Sequence, residues 1–303
     1  MERSVSHTGS AEVLGAAGIA GRRDDHSAIS AIEPFREVWS RPLATRCGRV
    51  EVWVVEAGSQ THFTNHTRVL SGEDWSAIAR IKHPEARDHA RATKTALRLA
   101  LSHAAGGSVP AGAWRFQTNT YGKPHTAPGL ADIQFCVSHT ETMSLIAVSR
   151  EVPVGIDIET IAPTCDDRLI EIFCSPRERR TLVSLSDSAR SRAFTRLWTL
   201  KEAYAKLTGT GLATDFRYLE FELEPRRQGA GYQAQRRPGE ASFESWLMEA
   251  PGGLCQVSVA VGESDAVGMG EIVCFAVAPD GSQHVATRSL EPERGKVSDF
   301  ALS

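Results

Sequence analysis

Two short runs hold the residues whose types and spacing suit phosphate or metal chemistry. In Val154-Gly155-Ile156-Asp157-Ile158-Glu159, two carboxylates stand two positions apart beside a glycine. In Trp198-Thr199-Leu200-Lys201-Glu202-Ala203-Tyr204-Ala205-Lys206, the residues Trp198, Glu202 and Lys206 follow one another at intervals of four. The first run reads as a strand, on which Val152, Val154, Ile156 and Ile158 point one way and Gly155, Asp157 and Glu159 the other. The second reads as a helix with a core face of Ala193, Leu197, Leu200, Tyr204 and Leu207 and a separate ridge of Trp198, Glu202 and Lys206. If Glu202 joins the two strand carboxylates, the three make a site for a hard cation, with Lys206 one turn away to meet negative charge. Each run alone also has a plain reading: Asp157 and Glu159 as a solvent-facing edge pair, Glu202 and Lys206 as a solvated ion pair.

The elements that must position these groups follow from periodicity and punctuation. Residues 1 to 44, rich in Ser, Ala, Gly, Arg and Asp, read as a disordered or weakly docked extension. Arg49 to Val55 predicts a first strand, Gly72 to Ile81 a short helix, and Glu85 to His103 a basic helix stopped by Gly106-Gly107. Trp114 to Gln117 predicts a strand, Tyr121-Gly122-Lys123-Pro124 a tight turn, and Ile133 to Val137 and Leu145 to Val148 a strand pair with Ser138-His139-Thr140 at its end. After the carboxylate strand, Asp167 to Phe173 is a short helix. Ser175, Pro176 and Glu178 spell a capping box for the next helix, and Asp187 or Ser191 caps the long one that ends before Gly209. Tyr218 to Leu223, Ser242 to Met248, Gln256 to Val261 and Ile272 to Val277 are strand-like, 226 to 240 is a polar loop, and 285 to 303 a disordered tail. The expected class is α+β with mainly antiparallel strands, in two parts of similar outline, 45 to 152 and 153 to 284.

The 303 residues, 41% hydrophobic and 23% charged, describe an ordinary globular protein, and the net charge of −3 argues against a general nucleic-acid binder. Six cysteines at 47, 136, 165, 174, 255 and 274 form no CxxC pair and no zinc-ligand spacing. With no apolar signal segment in the first thirty residues and no run of membrane-spanning length, the expectation is a cytoplasmic protein that does not engage a membrane.

VGIDIE at 154 to 159 and WTLKEAYAK at 198 to 206, together with YGKP at 121 to 124 and VSHT at 137 to 140, resemble in order the motifs of the 4'-phosphopantetheinyl transferases, Sfp-type. The resemblance spans roughly residues 47 to 280. It implies two similar α+β halves related by a pseudo-twofold, with the active site in the cleft between them, in a monomer. It also implies transfer of the 4'-phosphopantetheine arm of coenzyme A to a serine of an apo acyl or peptidyl carrier protein, as in a holo-acyl-carrier-protein synthase, with release of adenosine 3',5'-bisphosphate. Service to secondary metabolism belongs to the same expectation.

By that resemblance, Asp157, Glu159 and Glu202 would hold Mg2+ at the pyrophosphate, Lys206 would contact the phosphate under transfer or the leaving group, and Glu202 or Glu159 would accept the serine proton. Trp198 would pack beneath the ligands, and Lys201 would contact phosphate or lay its stem along the core boundary. Lys123, Ser138, His139, Arg87 and Lys94 are the matching coenzyme A contacts; family members commonly carry arginine where Lys94 stands, and lysine lacks its two-pronged grip. Arg91 and Arg98 are weaker candidates. Arg177, Arg179, Arg180 and Leu182 are candidates for the carrier's landing surface. Two other classes compete: a metal-dependent phosphoesterase using the same carboxylates, and an inactive module that binds coenzyme A or a carrier.

Overall fold

The alternating valines and isoleucines of the middle of the chain build two sheets that share one core. A computed structural model describes residues 31–32, 35–222 and 241–277. The strands are β1 (Ala31–Ile32), β2 (Phe35–Arg46), β3 (Arg49–Glu56), β4 (Phe116–Thr118), β5 (Pro124–Thr126), β6 (Gln134–His139), β7 (Met143–Ser149), β8 (Val154–Thr160), β9 (Ser242–Ala250), β10 (Gly253–Val261) and β11 (Met269–Val277). The α-helices are α1 (Gly72–Ala79), α2 (Pro84–Ala104), α3 (Asp167–Phe173), α4 (Pro176–Val183) and α5 (Asp187–Thr208). One sheet runs β1-β2-β11-β3-β7-β6, a second runs β8-β10-β9, and β4-β5 is a hairpin. All pairings are antiparallel except β11 with β3, so the expected α+β class with mainly antiparallel strands holds.

Strand alternation sorts the side chains into layers. Val50, Val52, Val54, Leu145 and Ala147 from the large sheet meet Val154, Ile156, Ile158, Val257 and Val259 from the small one in a dry inter-sheet core. The opposite face of the large sheet, with Trp53, Ile146 and Phe275, packs on Ala92, Ala96 and Ala100 of α2. The outer face of the small sheet receives Leu197, Leu200, Ala203 and Leu207 of α5. The order is therefore helix, sheet, sheet, helix.

Four expectations change. Residues 35–44, read as part of a disordered extension, belong to the twelve-residue strand β2, which gains its order from pairing with β11 rather than from a clear alternation of its own. Strand β11 departs from the division near Val152: it lies between β2 and β3, in the sheet of the first part. Of the expected strand from Tyr218 to Leu223, the described residues 218–222 form only an isolated bridge at Phe221, because 216–218 is a 3-10 turn capped by Asp215 and the Phe221 amide donates to the Glu178 carboxylate. The long helix starts one residue before the expected caps, with Ser186 at the N-cap position and Asp187 already helical. The expected loop over 226–240, the tail over 285–303 and residues 1–30 of the extension lie outside the described residues.

Candidate active site

Glycine decides how close the helix can come to the carboxylate strand. A Cβ on Gly155 would overlap the Ala203 carbonyl oxygen and the Leu207 amide, so only glycine lets α5 lie with its backbone against β8. That approach sets the ridge of α5 over the polar face of β8. At the end of the helix Gly209 takes a left-handed conformation, φ 70°, and its amide donates to the Ala205 carbonyl, which closes the helix beyond Lys206.

Three groups meet where β8, α5 and the edge strand β6 come together. The Lys206 ammonium donates to Asp157 Oδ1 at 2.6 Å and to Ser138 Oγ at 2.8 Å, while the Ser138 hydroxyl donates to the same Asp157 oxygen at 2.8 Å. Asp157 Oδ2 is buried and has no hydrogen-bond partner among the described residues. Glu159 Oε1 accepts from the Trp198 indole at 3.1 Å, and that ring stands edge-on against Phe173 and Phe216. Trp198 is thus both a packing residue and a tether for Glu159.

Electrostatics follow from this crowding. Burial, and then the charge of Asp157, push the carboxyls of Glu159 and Glu202 above the ordinary range. Burial opposes the charge on Lys206, but Asp157 more than offsets it and its pKa is raised. Among the described residues no three acidic, histidine or cysteine side chains stand close enough together to form a ready metal cage. The donor set nonetheless suits a hard divalent ion: three carboxylates, one bare buried oxygen on Asp157, and mutual repulsion that a cation would relieve.

Two adjoining cavities open beside this cluster. The smaller, about 300 Å³, is lined by Lys123, Cys136, Glu202 and Lys206. The larger, about 840 Å³, is lined by Lys94, His139, His89, Thr93 and Leu97, and Pro124, Phe135 and Val137 border both. Lys94 and His139 therefore come to one cavity. Burial lowers the pKa of Lys123, whose ammonium donates to the Leu207 carbonyl at 2.9 Å and fastens its turn to the end of α5. Asn119 reinforces that junction by donating to the Gly209 carbonyl.

Other candidates are placed elsewhere. Arg87 donates to the Ile81 carbonyl at 2.9 Å and holds the turn between α1 and α2. Arg98 is buried against Asp74 and the Trp114 carbonyl, and Arg91 pairs with Asp88. Lys201 is 1% exposed and bonds Glu178 and the carbonyls of Phe173 and Phe216, so it is a buried support and not a phosphate contact. Glu178 completes the capping box with Ser175 as expected. On α4, Arg177 pairs with Glu220 and Glu222, Arg179 donates to the Cys174 carbonyl, and Leu182 is fully buried and offers nothing to a surface. The reading of the sequence missed His89 and Thr93; the signal was their spacing with Leu97 at intervals of four on one face of α2.

Comparison with known proteins agrees with this geometry. Residues 153–255 match the model of the 4'-phosphopantetheinyl transferase superfamily. The chain is similar to 4'-phosphopantetheinyl transferase HetI of Nostoc sp., 35% identical over 159 residues that cover 52% of this chain and 66% of that protein. It is also similar to a 4'-phosphopantetheinyl transferase of Bacillus subtilis, 33% identical over 144 residues, 48% of this chain and 62% of the relative. Sfp of Bacillus subtilis strain 168 is 34% identical over 99 residues, 33% and 43% of the two chains. The matched stretch spans less than two thirds of each of these relatives. Among solved structures, a holo-acyl-carrier-protein synthase of Thermotoga maritima is similar at 24% identity over 37% of this chain and 64% of its own, with a TM-score of 0.29, too low to bear on the architecture. The carboxylate strand and the lysine ridge of this chain both lie inside residues 153–255, the segment that matches the 4'-phosphopantetheinyl transferase superfamily.

Proposed function

We propose that this protein transfers the 4'-phosphopantetheine arm of coenzyme A to a serine of an apo carrier protein, releasing adenosine 3',5'-bisphosphate. The observation that carries the reading is the meeting of Asp157, Lys206 and Ser138 beside two adjoining cavities, with Glu202 and Lys206 lining one and Lys94 and His139 the other. In this reading the chain holds two similar α+β halves related by a pseudo-twofold, and the substrate lies in the cleft beside β6, β8 and α5.

Phosphoryl transfer needs alignment and neutralisation of charge more than covalent help from the protein. Mg2+ held by Asp157, Glu159 and Glu202 would neutralise the pyrophosphate and draw charge from the leaving group. Lys206, kept cationic by Asp157, turns its ammonium to the phosphate being transferred. Glu202 takes the serine proton: it lines the cavity, whereas Glu159 is held by Trp198. Lys94 and His139 receive the 3'-phosphate at the far cavity, and Lys123 and Arg87 act by holding the turns around it. The same reading has the enzyme work as a cytoplasmic monomer in secondary metabolism.

The test is to incubate the full-length protein with coenzyme A, Mg2+ and several apo carriers and weigh the carriers by intact mass spectrometry. At least one carrier gains the phosphopantetheine mass, and Glu202→Ala abolishes that gain. A folded protein that modifies no carrier, yet hydrolyses or merely binds coenzyme A, would make it a phosphoesterase or a binding module.

A further inference from the structure

Strand alternation at the end of β6 sends neighbouring residues to different places: His139 to the large cavity, Ser138 inward onto β8. The Ser138 hydroxyl donates to Asp157 Oδ1 and accepts from Lys206, and the Ile158 amide approaches it at 3.4 Å. Asp157 Oδ1 thereby receives two donors, Ser138 at 2.8 Å and Lys206 at 2.6 Å, while Oδ2 receives none although it is buried. A carboxylate left to itself turns easily about its terminal torsion, and an ammonium can sit between both oxygens. The serine removes that freedom.

We propose that Ser138 is a positioning residue that fixes Asp157 with one oxygen on Lys206 and the other bare, so that Oδ2 is presented to the divalent cation. The inference rests on the proposed metal-assisted transfer and deepens it. Its physical content is that a hydroxyl which touches neither metal nor substrate sets the affinity for the ion by orienting a ligand. Loss of such an orienting partner costs about 10- to 100-fold in metal affinity.

The test measures Mn2+ binding by electron paramagnetic resonance with full-length protein and coenzyme A but no carrier, so that no transfer occurs. Ser138→Ala weakens Mn2+ binding at least about tenfold and raises the Mg2+ concentration needed for half-maximal transfer, with kcat restored at excess Mg2+. Ser138→Thr, which keeps the hydroxyl, restores both. Ser138→Cys, close in volume and a poor donor, behaves as Ser138→Ala with a near-native melting temperature, which separates orientation from packing. Wild-type Mn2+ affinity in Ser138→Ala or Ser138→Cys, with or without a lower melting temperature, overturns the inference. Asp157→Asn tells the two failures apart: if it abolishes Mn2+ binding while the Ser138 variants bind normally, only the role of Ser138 falls. If it too binds normally, the metal reading of the site falls.

Discussion

Replacing Lys206 by methionine keeps most of the side chain's length and apolar stem and deletes the charge. The Asp157 carboxylate, 4% exposed, then loses its 2.6 Å partner, and Ser138 loses a donor. Removing one member of a buried ion pair typically costs about 3–5 kcal/mol because the other charge stays behind in a poor solvent. Lys206 is 28% exposed, so water reaches the vacated place and the lower end applies, about 3 kcal/mol. For a folded unit of this size, that is a fall in melting temperature of roughly 6–12 °C. Asp157→Asn combined with Lys206→Met removes both charges and should recover much of the loss, giving a coupling of about 2 kcal/mol in a double-mutant cycle read by circular dichroism melts. The single variant should also gain more melting temperature from Mg2+ than wild type does, since the ion replaces the lost cation. Simple additivity of the two substitutions would refute the reasoning, because it would mean that Asp157 does not depend on Lys206 for its burial.

Three further outcomes are expected. Burial and the charge of Asp157 hold Glu159 and Glu202 above the ordinary carboxylate value of 4.5, so their ionised forms are disfavoured in the fold. Without divalent ions their contribution to stability should grow as pH falls from neutrality through their raised values and be lost as pH rises. Glu202→Gln should flatten that slope in pH-dependent melts, and parallel curves would contradict it. Gly155→Ala should lower the melting temperature and abolish carrier modification together, because the new methyl overlaps backbone atoms of α5 and drives the helix off β8; a variant with native stability and activity would show that the close approach is not required. Lys201→Met should destabilise by about 3–5 kcal/mol, more than Lys206→Met, while the KM for coenzyme A of the folded fraction stays unchanged. A raised KM with normal melting would return Lys201 to the phosphate site.

Much of the site could be read before any coordinates. The period-two pattern around Asp157 and Glu159, the four-residue spacing of Trp198, Glu202 and Lys206, the Ser175–Glu178 capping box and the stop at Gly209 are local, and local geometry follows from backbone periodicity and sterics. Tyr218 to Leu223 misled because a short alternation of apolar residues with Glu220 and Glu222 serves a strand or a turn packed on a helix equally well, and the choice belongs to Glu178 and Lys201, distant in sequence.

What the sequence by itself determined was which side chains share a face: the two carboxylates on one side of β8, the three-membered ridge on α5. Only the tertiary structure decided who pairs with whom. It joined Lys206 to Asp157 and Ser138, retired Lys201 and Arg98 into buried ion pairs, and set the apparently unstructured residues 35–44 beside β11. The physical reason is common to all of these. A charge or a strand edge is satisfied by whatever the folded chain brings within hydrogen-bond reach, and that neighbour is set by packing across the sheets and not by position along the chain.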